Sequence, residues 1–185
     1  MGIIEILLLA FGLALDAFAV SIAASSSGKI NDARSKFRLS FHFGLFQFLM
    51  PVIGWYVGDK IEPYVKNFSH WIAFLLLLYV GIRMIKAAFA DEEEKPKGNP
   101  SKGSTLVILS VATSIDALIV GFSLAFEKVL IWQPSAIIGI VTAILSLIGI
   151  YIGAFLGKRF GSRMEFAGGI ILIGIGLKML IPHLF

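Results

Sequence analysis

Cysteine is absent from all 185 residues. That gap excludes disulfide staples, thiolate metal sites and thiol redox chemistry together. Charge is scarce as well: Asp, Glu, Lys and Arg make up 15% of the chain, against about 25% in an ordinary soluble domain. Neither a phosphate-cradling P-loop nor an H-E-x-x-H pair occurs, so nucleotide hydrolysis and zinc proteolysis of that type have no machinery here. The net charge of +4 is modest, and the basic residues sit in short segments between apolar runs. A nucleic-acid-binding face, which gathers Lys and Arg on one folded surface, is therefore not expected. The opening residues Met1-Gly2-Ile3-Ile4-Glu5 carry no basic stretch before the first apolar run, so that run reads as a spanning helix rather than a cleaved leader.

What fills the chain is hydrocarbon. Hydrophobic residues make up 57% and the mean hydropathy is +0.88, the composition of a protein whose solvent is lipid. Six runs approach the ~20 residues a helix needs to cross a bilayer core: Ile3–Ala24, Phe37–Val57, Trp71–Ala90, Leu106–Phe126, Ser135–Leu156 and Glu165–Leu184. The expected fold is an all-α integral membrane protein with six transmembrane helices. Pro51 lies inside the second run and predicts a kink, because it frees a backbone carbonyl that neighbours must satisfy. Between the third and fourth runs, Asp91-Glu92-Glu93-Glu94-Lys95-Pro96-Lys97-Gly98-Asn99-Pro100 reads as a hydrated linker.

Lys and Arg set the orientation. Ten fall in or at the edge of the segments after the first, third and fifth runs, Lys29, Arg34, Lys36 and Arg38 among them, and only Lys60, Lys66 and Lys128 fall in the others. The first group of segments is thus expected on the cytoplasmic side, with both termini outside. Trp55, Trp71 and Trp132 fall at the outer span ends, where interfacial aromatics belong.

The two halves repeat one another. Asp16, Ala17 and Val20 recur 100 residues later as Asp116, Ala117 and Val120. From the second run onward the interval is 95, pairing Gly44 with Gly139, Gly54 with Gly149, Tyr56 with Tyr151 and Gly81 with Gly176. Each half has an odd number of spans, so the halves enter the membrane from opposite sides: an inverted three-helix repeat, as in many secondary transporters. Residues 1–90 are expected to form the first repeat, 91–103 a charged cytoplasmic linker and 104–185 the second repeat. Glycines spaced by four, at Gly54/Gly58 and Gly149/Gly153/Gly157/Gly161, mark faces where helix backbones pack closely.

Asp16 and Asp116 each stand alone in the middle of a run. A carboxylate there costs roughly 2.5–3.5 kcal/mol or more, and the simplest compensation is a cation. Thr113 lies one turn before Asp116, and Gln47 of the second run corresponds to Thr142 of the fifth. Carboxylate, amide, hydroxyl and backbone oxygens, with no thiolate and no well-placed imidazole, suit a hard divalent ion such as Mn²⁺, Mg²⁺ or Ca²⁺ better than Cu⁺ or Zn²⁺. Asp16, Asp116, Gln47, Thr113 and Thr142 are the candidate metal-contacting residues. Two ionised aspartates balance a divalent charge, and when it leaves, their repulsion favours a proton in its place. Metal/proton exchange is the expected coupling. Ion pairing with Arg83 and Lys178 is the structural alternative, although both lie toward span ends. His42, His70 and His183 read as interfacial residues rather than ligands.

The stretches Phe11-Gly12-Leu13-Ala14-Leu15-Asp16-Ala17-Phe18-Ala19, Pro51-Val52-Ile53-Gly54-Trp55, His70-Trp71-Ile72-Ala73-Phe74, Gly81-Ile82-Arg83-Met84-Ile85 and Ala112-Thr113-Ser114-Ile115-Asp116-Ala117 run in order over nearly the whole chain. As a set they resemble the bacterial manganese efflux pump family, MntP, of the lysine-exporter superfamily. That resemblance implies six helices in the bacterial inner membrane and export of Mn²⁺ from the cytoplasm, and it carries the family's transport aspartates over to Asp16 and Asp116. It supplies the metal's identity where the residues alone give a hard cation. Mn²⁺ is then a transported substrate and no cofactor is implied. The expected partners are that ion and the lipid bilayer, with homo-oligomerisation left open.

Export of another small solute or divalent cation is the alternative within the same class. An intramembrane aspartyl protease is the alternative from another class, since two membrane aspartates can serve as an acid/base dyad. Leu15 and Ile115, which precede the aspartates, depart from the Tyr-Asp and Gly-x-Gly-Asp pattern such enzymes resemble. The chain is therefore not expected to be an enzyme.

Overall fold

The computed structural model describes residues 2–89, 99–126, 128–160 and 162–180. The side chains of Arg83, Lys178 and His70 fall outside the described set, as do linker residues 91–98 and His183 altogether. Among the described residues all regular structure is helical: α1 Ile3–Ser26, α2 Ala33–Phe89, α3 Gly103–Ala112, α4 Ile115–Phe126, α5 Trp132–Phe160 and α6 Ser162–Leu180. Three stretches are each long and apolar enough to cross a bilayer: α1, residues Ala33–Val57 of α2, and Trp132–Arg159 of α5. α3 and α4 reach that length together, as one span bent by 42°. α6 holds a shorter apolar stretch, Phe166–Ile175.

Two elements differ from the sequence expectation. The fourth run is not one helix over Leu106–Phe126 but two, interrupted at Thr113-Ser114. The second and third runs fall within a single helical element, α2. That element does not run straight. A straight helix would set Phe89 roughly 80 Å from Ser35. Yet Asn99, ten residues beyond Phe89, hydrogen-bonds Ser35 and the Lys29 carbonyl, and ten residues reach at most about 36 Å. Phe89 also stacks edge-on against Phe166 near the start of α6. α2 therefore doubles back, and its two arms serve as the second and third runs.

Local chemistry sets the helix starts. Glu5 accepts the Gly2 N–H at 2.9 Å and closes the first turn of α1. Asp32 stands just before α2 and accepts the Ser35 N–H at 2.9 Å, the usual device for an orphan donor at a helix start. The Ser35 hydroxyl and then its N–H hold the Asp32 carboxyl below the ordinary aspartate value.

In lipid, apolar burial gives little drive for helix association, so close backbone contact and dispersion carry it. α1 packs chiefly on α5, and α2 on α6, α4 and α5. Small residues make these contacts possible. A Cβ built on Gly44 would lie 2.8 Å from the Gly139 carbonyl oxygen, and one on Gly139 would lie 2.9 Å from that of Gly44. Gly54 meets the Leu118 carbonyl, and Gly149 meets the Phe18 carbonyl in the same way. Around these seams Val20, Ala24, Leu39, Phe43, Leu109, Ile150 and Leu172 form a buried cluster drawn from α1, α2, α3, α5 and α6. The outer faces are apolar too: Leu8, Phe41, Ile140 and Phe155 are exposed, as expected of surfaces that meet hydrocarbon.

Candidate functional site

The site is built on the interruption between α3 and α4. Three hydroxyls in five residues turn back onto the helix that precedes them. Ser110 donates to the Leu106 carbonyl at 2.8 Å, Thr113 to that of Leu109 at 2.9 Å, and Ser114 to that of Ser110 at 2.7 Å. Such back-bonding offers the backbone an alternative partner and bends helices. The Ser114 N–H tightens onto the Val111 carbonyl, an i→i−3 bond, and α4 restarts at Ile115. The matching positions in α1 are Leu13-Ala14, which carry no hydroxyl, and α1 passes through them unbroken.

Asp116 then falls in the first turn of α4, where a helix's free N–H groups favour negative charge. Its carboxylate accepts the Ala117 N–H at 2.8 Å. A continuous helix would aim that N–H at the Thr113 carbonyl. The Thr113 carbonyl instead accepts the side-chain amide of Gln47 at 3.1 Å. The same amide nitrogen also donates to the Leu13 carbonyl of α1 at 3.1 Å. One nitrogen on α2 thus joins the positions one turn before Asp16 and one turn before Asp116.

Burial makes these contacts consequential. Gln47 and Thr142 are fully buried and Thr113 nearly so, while Asp16 and Asp116 are half-buried and each carries an interaction. The Gln47 Oε1 and the Thr142 Oγ1 are buried with no hydrogen-bond partner. Of the five residues singled out from sequence, Gln47 and Thr113 bond directly. Asp16 and Asp116 lie one turn beyond the two carbonyls that Gln47 joins. Thr142 lies on α5 and shares no hydrogen bond with the others. Among the described residues no cluster of three or more His, Cys, Asp or Glu side chains forms. Any cation here would complete its shell from amide, hydroxyl and carbonyl oxygens, which hard ions accept.

Sequence reasoning missed the Leu13 carbonyl, because a main-chain acceptor has no sequence signature. It also missed the interruption itself. The signal was present in Ser110 and the Thr113-Ser114 doublet, of which only Thr113 was singled out, and as a metal contact rather than a helix breaker. Ser21, Ser135 and Ser146 add buried hydroxyls without partners.

Apolar helices long enough to cross a bilayer, a bent span, and a buried amide that bridges two stretches each carrying a carboxylate one turn further on are the build of a membrane transport protein. The family described as "Mntp: Putative manganese efflux pump" matches residues 30–180, and the chain belongs to that family, one of transporters and not enzymes. It is similar to the "Putative manganese efflux pump MntP" of Syntrophotalea carbinolica, 47% identical over 184 residues that cover 99% of this chain and 98% of the relative. The protein of the same description from Nitratidesulfovibrio vulgaris strain DP4 is 46% identical over 99% of this chain and 92% of its own length. That of Citrifermentans bemidjiense is 48% identical over 97% and 96%. No solved structure matches the chain.

Proposed function

We propose that the chain is a secondary transporter that exports Mn²⁺ from the cytoplasm by metal/proton exchange, through a midplane site built on Asp16 and Asp116. The observation that carries this is the Gln47 amide, whose buried nitrogen bonds the carbonyls one turn before each aspartate. Its Oε1 is left without a partner, and a buried acceptor in that state costs about 1–3 kcal/mol that a cation would recover. Thr113 and Thr142 supply further oxygens. The two carboxylates neutralise the ion's charge, and a proton takes its place on the return step. The carbonyl end of α3 adds the negative end of a half-helix, the arrangement that discontinuous transporter helices use to bind cations. The shared description of the relatives, manganese efflux, supports the choice of ion.

Residues 1–90 and 104–185 are proposed as inverted three-helix repeats joined by the charged segment 91–103. Two kinds of contact support this. Gly44 and Gly139, partners at an interval of 95, approach each other reciprocally, as residues on a two-fold axis do. The contact of Gly54 with Leu118 is mirrored by that of Gly149 with Phe18, with both members shifted by their own interval. The bias of Lys and Arg supports an inner-membrane orientation with both termini outside. Elemental analysis of cells with and without the protein tests the function. Expression should lower cellular Mn while Mg, Ca, Fe, Zn and Cd hold steady, and unchanged Mn contradicts it.

A further inference from the structure

The Leu13 and Thr113 carbonyls occupy matching positions, accept the same Gln47 nitrogen at the same 3.1 Å, and yet sit in different helices of different state. Around Leu13 the helix is intact. Around Thr113 it is open, and the Ala117 N–H that would close it is held by the Asp116 carboxylate. A carbonyl has two lone pairs, so Thr113 can accept its own helix's N–H without losing Gln47, as Leu13 does in α1. The back-bonded hydroxyls of Thr113 and Ser114 weaken this turn, and the carboxylate that competes for Ala117 is the part of the interruption a ligand could release.

We propose that the Thr113–Ala117 turn is a cation-operated hinge, in which Gln47 is the positioning residue that holds the Thr113 carbonyl and Asp116 is the latch. The hinge rests on the site proposed above. A divalent ion at Asp116 takes up the carboxylate, the Ala117 N–H returns to the Thr113 carbonyl, and α3 and α4 straighten into one helix like α1. α4 is held by backbone contacts of Gly121 with Pro51 and of Leu118 with Gly54, so α3 is the arm that swings. Straightening a 42° bend over the ten residues of α3 moves its far end by roughly 10 Å. That end is where Asn99 ties the chain to Lys29 and Ser35, so the movement opens or closes a contact between the halves on one side of the bundle.

The absence of cysteine makes the test direct. Arg34 and Lys102 are both exposed and flank the Asn99 contact. The full chain carrying R34C and K102C is labelled with pyrene maleimide in detergent, and excimer emission is read as Mn²⁺ is added, with binding followed by calorimetry on the same samples. The hinge predicts that excimer emission falls by half or more as Mn²⁺ saturates the protein, and that adding D116N abolishes both binding and the change. The variant Q47E keeps an oxygen for the ion but loses the N–H donor. Read at Mn²⁺ saturation on its own binding isotherm, Q47E should show no excimer change, whereas a Gln47 that is merely a ligand gives the full change once the variant is saturated. Mn²⁺ binding that depends on Asp116 but leaves emission unchanged overturns the hinge and spares the site. Equal binding by the parent and D116N overturns the site and the hinge together.

Discussion

Gly44 and Gly139 face each other so closely that neither can carry a side chain without displacing the other's backbone. The pair has a consequence for stability. Inserting volume into such a contact costs about 1–3 kcal/mol, and residues related by a pseudo-two-fold axis should suffer alike. G44V and G139V are each expected to lower the thermal unfolding midpoint in detergent by a similar amount, with the double variant no worse than the sum. Tolerance of either substitution alone would contradict the reciprocal packing.

The interruption at Thr113-Ser114 is attributed to hydroxyls that turn back onto α3. Copying the first half, as T113L with S114A, removes both. The expected product folds, shows an unbroken fourth span by site-directed spin-label scanning, and no longer exports Mn²⁺. A span that stays broken in this variant would mean that packing, not hydroxyl chemistry, makes the bend.

The Asn99 side chain makes four hydrogen bonds, to the Lys29 carbonyl, the Ser35 hydroxyl, and the N–H and hydroxyl of Ser101. Ser35 and Ser101 are themselves buried. N99A leaves buried groups unpaired, at about 1–3 kcal/mol, and should lower the unfolding midpoint more than alanine at the exposed Lys102. Equal effects would show that the clamp contributes nothing.

How much of this was legible in the sequence depends on what each feature is made of. The apolar runs and the repeat announced a helical membrane bundle, because lipid demands long uninterrupted hydrocarbon. The aspartates at 16 and 116 were legible because a carboxylate in that setting needs a reason. Gln47 was singled out only by its match with Thr142, yet its role runs through two backbone carbonyls, one of them on a helix 34 residues away in sequence. Such contacts depend on the packing of α2 against its neighbours, which residue order does not encode locally. The doubling back of α2 inside one helical element was likewise invisible, since Phe37–Val57 and Trp71–Ala90 read as two separate runs with basic residues between them.

Asp32 supplies a pH dependence. Its carboxyl is held below the ordinary 3.8 by the Ser35 hydroxyl and N–H. A group whose folded value is lowered contributes stability above its unfolded value and loses it as pH falls through the folded one. The start of α2 should therefore loosen as pH drops from about 5 to below 3, and D32N should remove that part of the acid sensitivity. Identical acid profiles for D32N and the parent would contradict the cap.

The central claim is that Asp16 and Asp116 carry Mn²⁺ in exchange for protons. The most direct measurement is Mn²⁺ flux and internal pH together in sealed vesicles containing the purified full chain, compared with D16N and D116N shown to be folded. The parent should move Mn²⁺ with an opposite movement of protons, and each variant should lose both by at least a factor of ten. Mn²⁺ flux at the parent rate in both variants would contradict it.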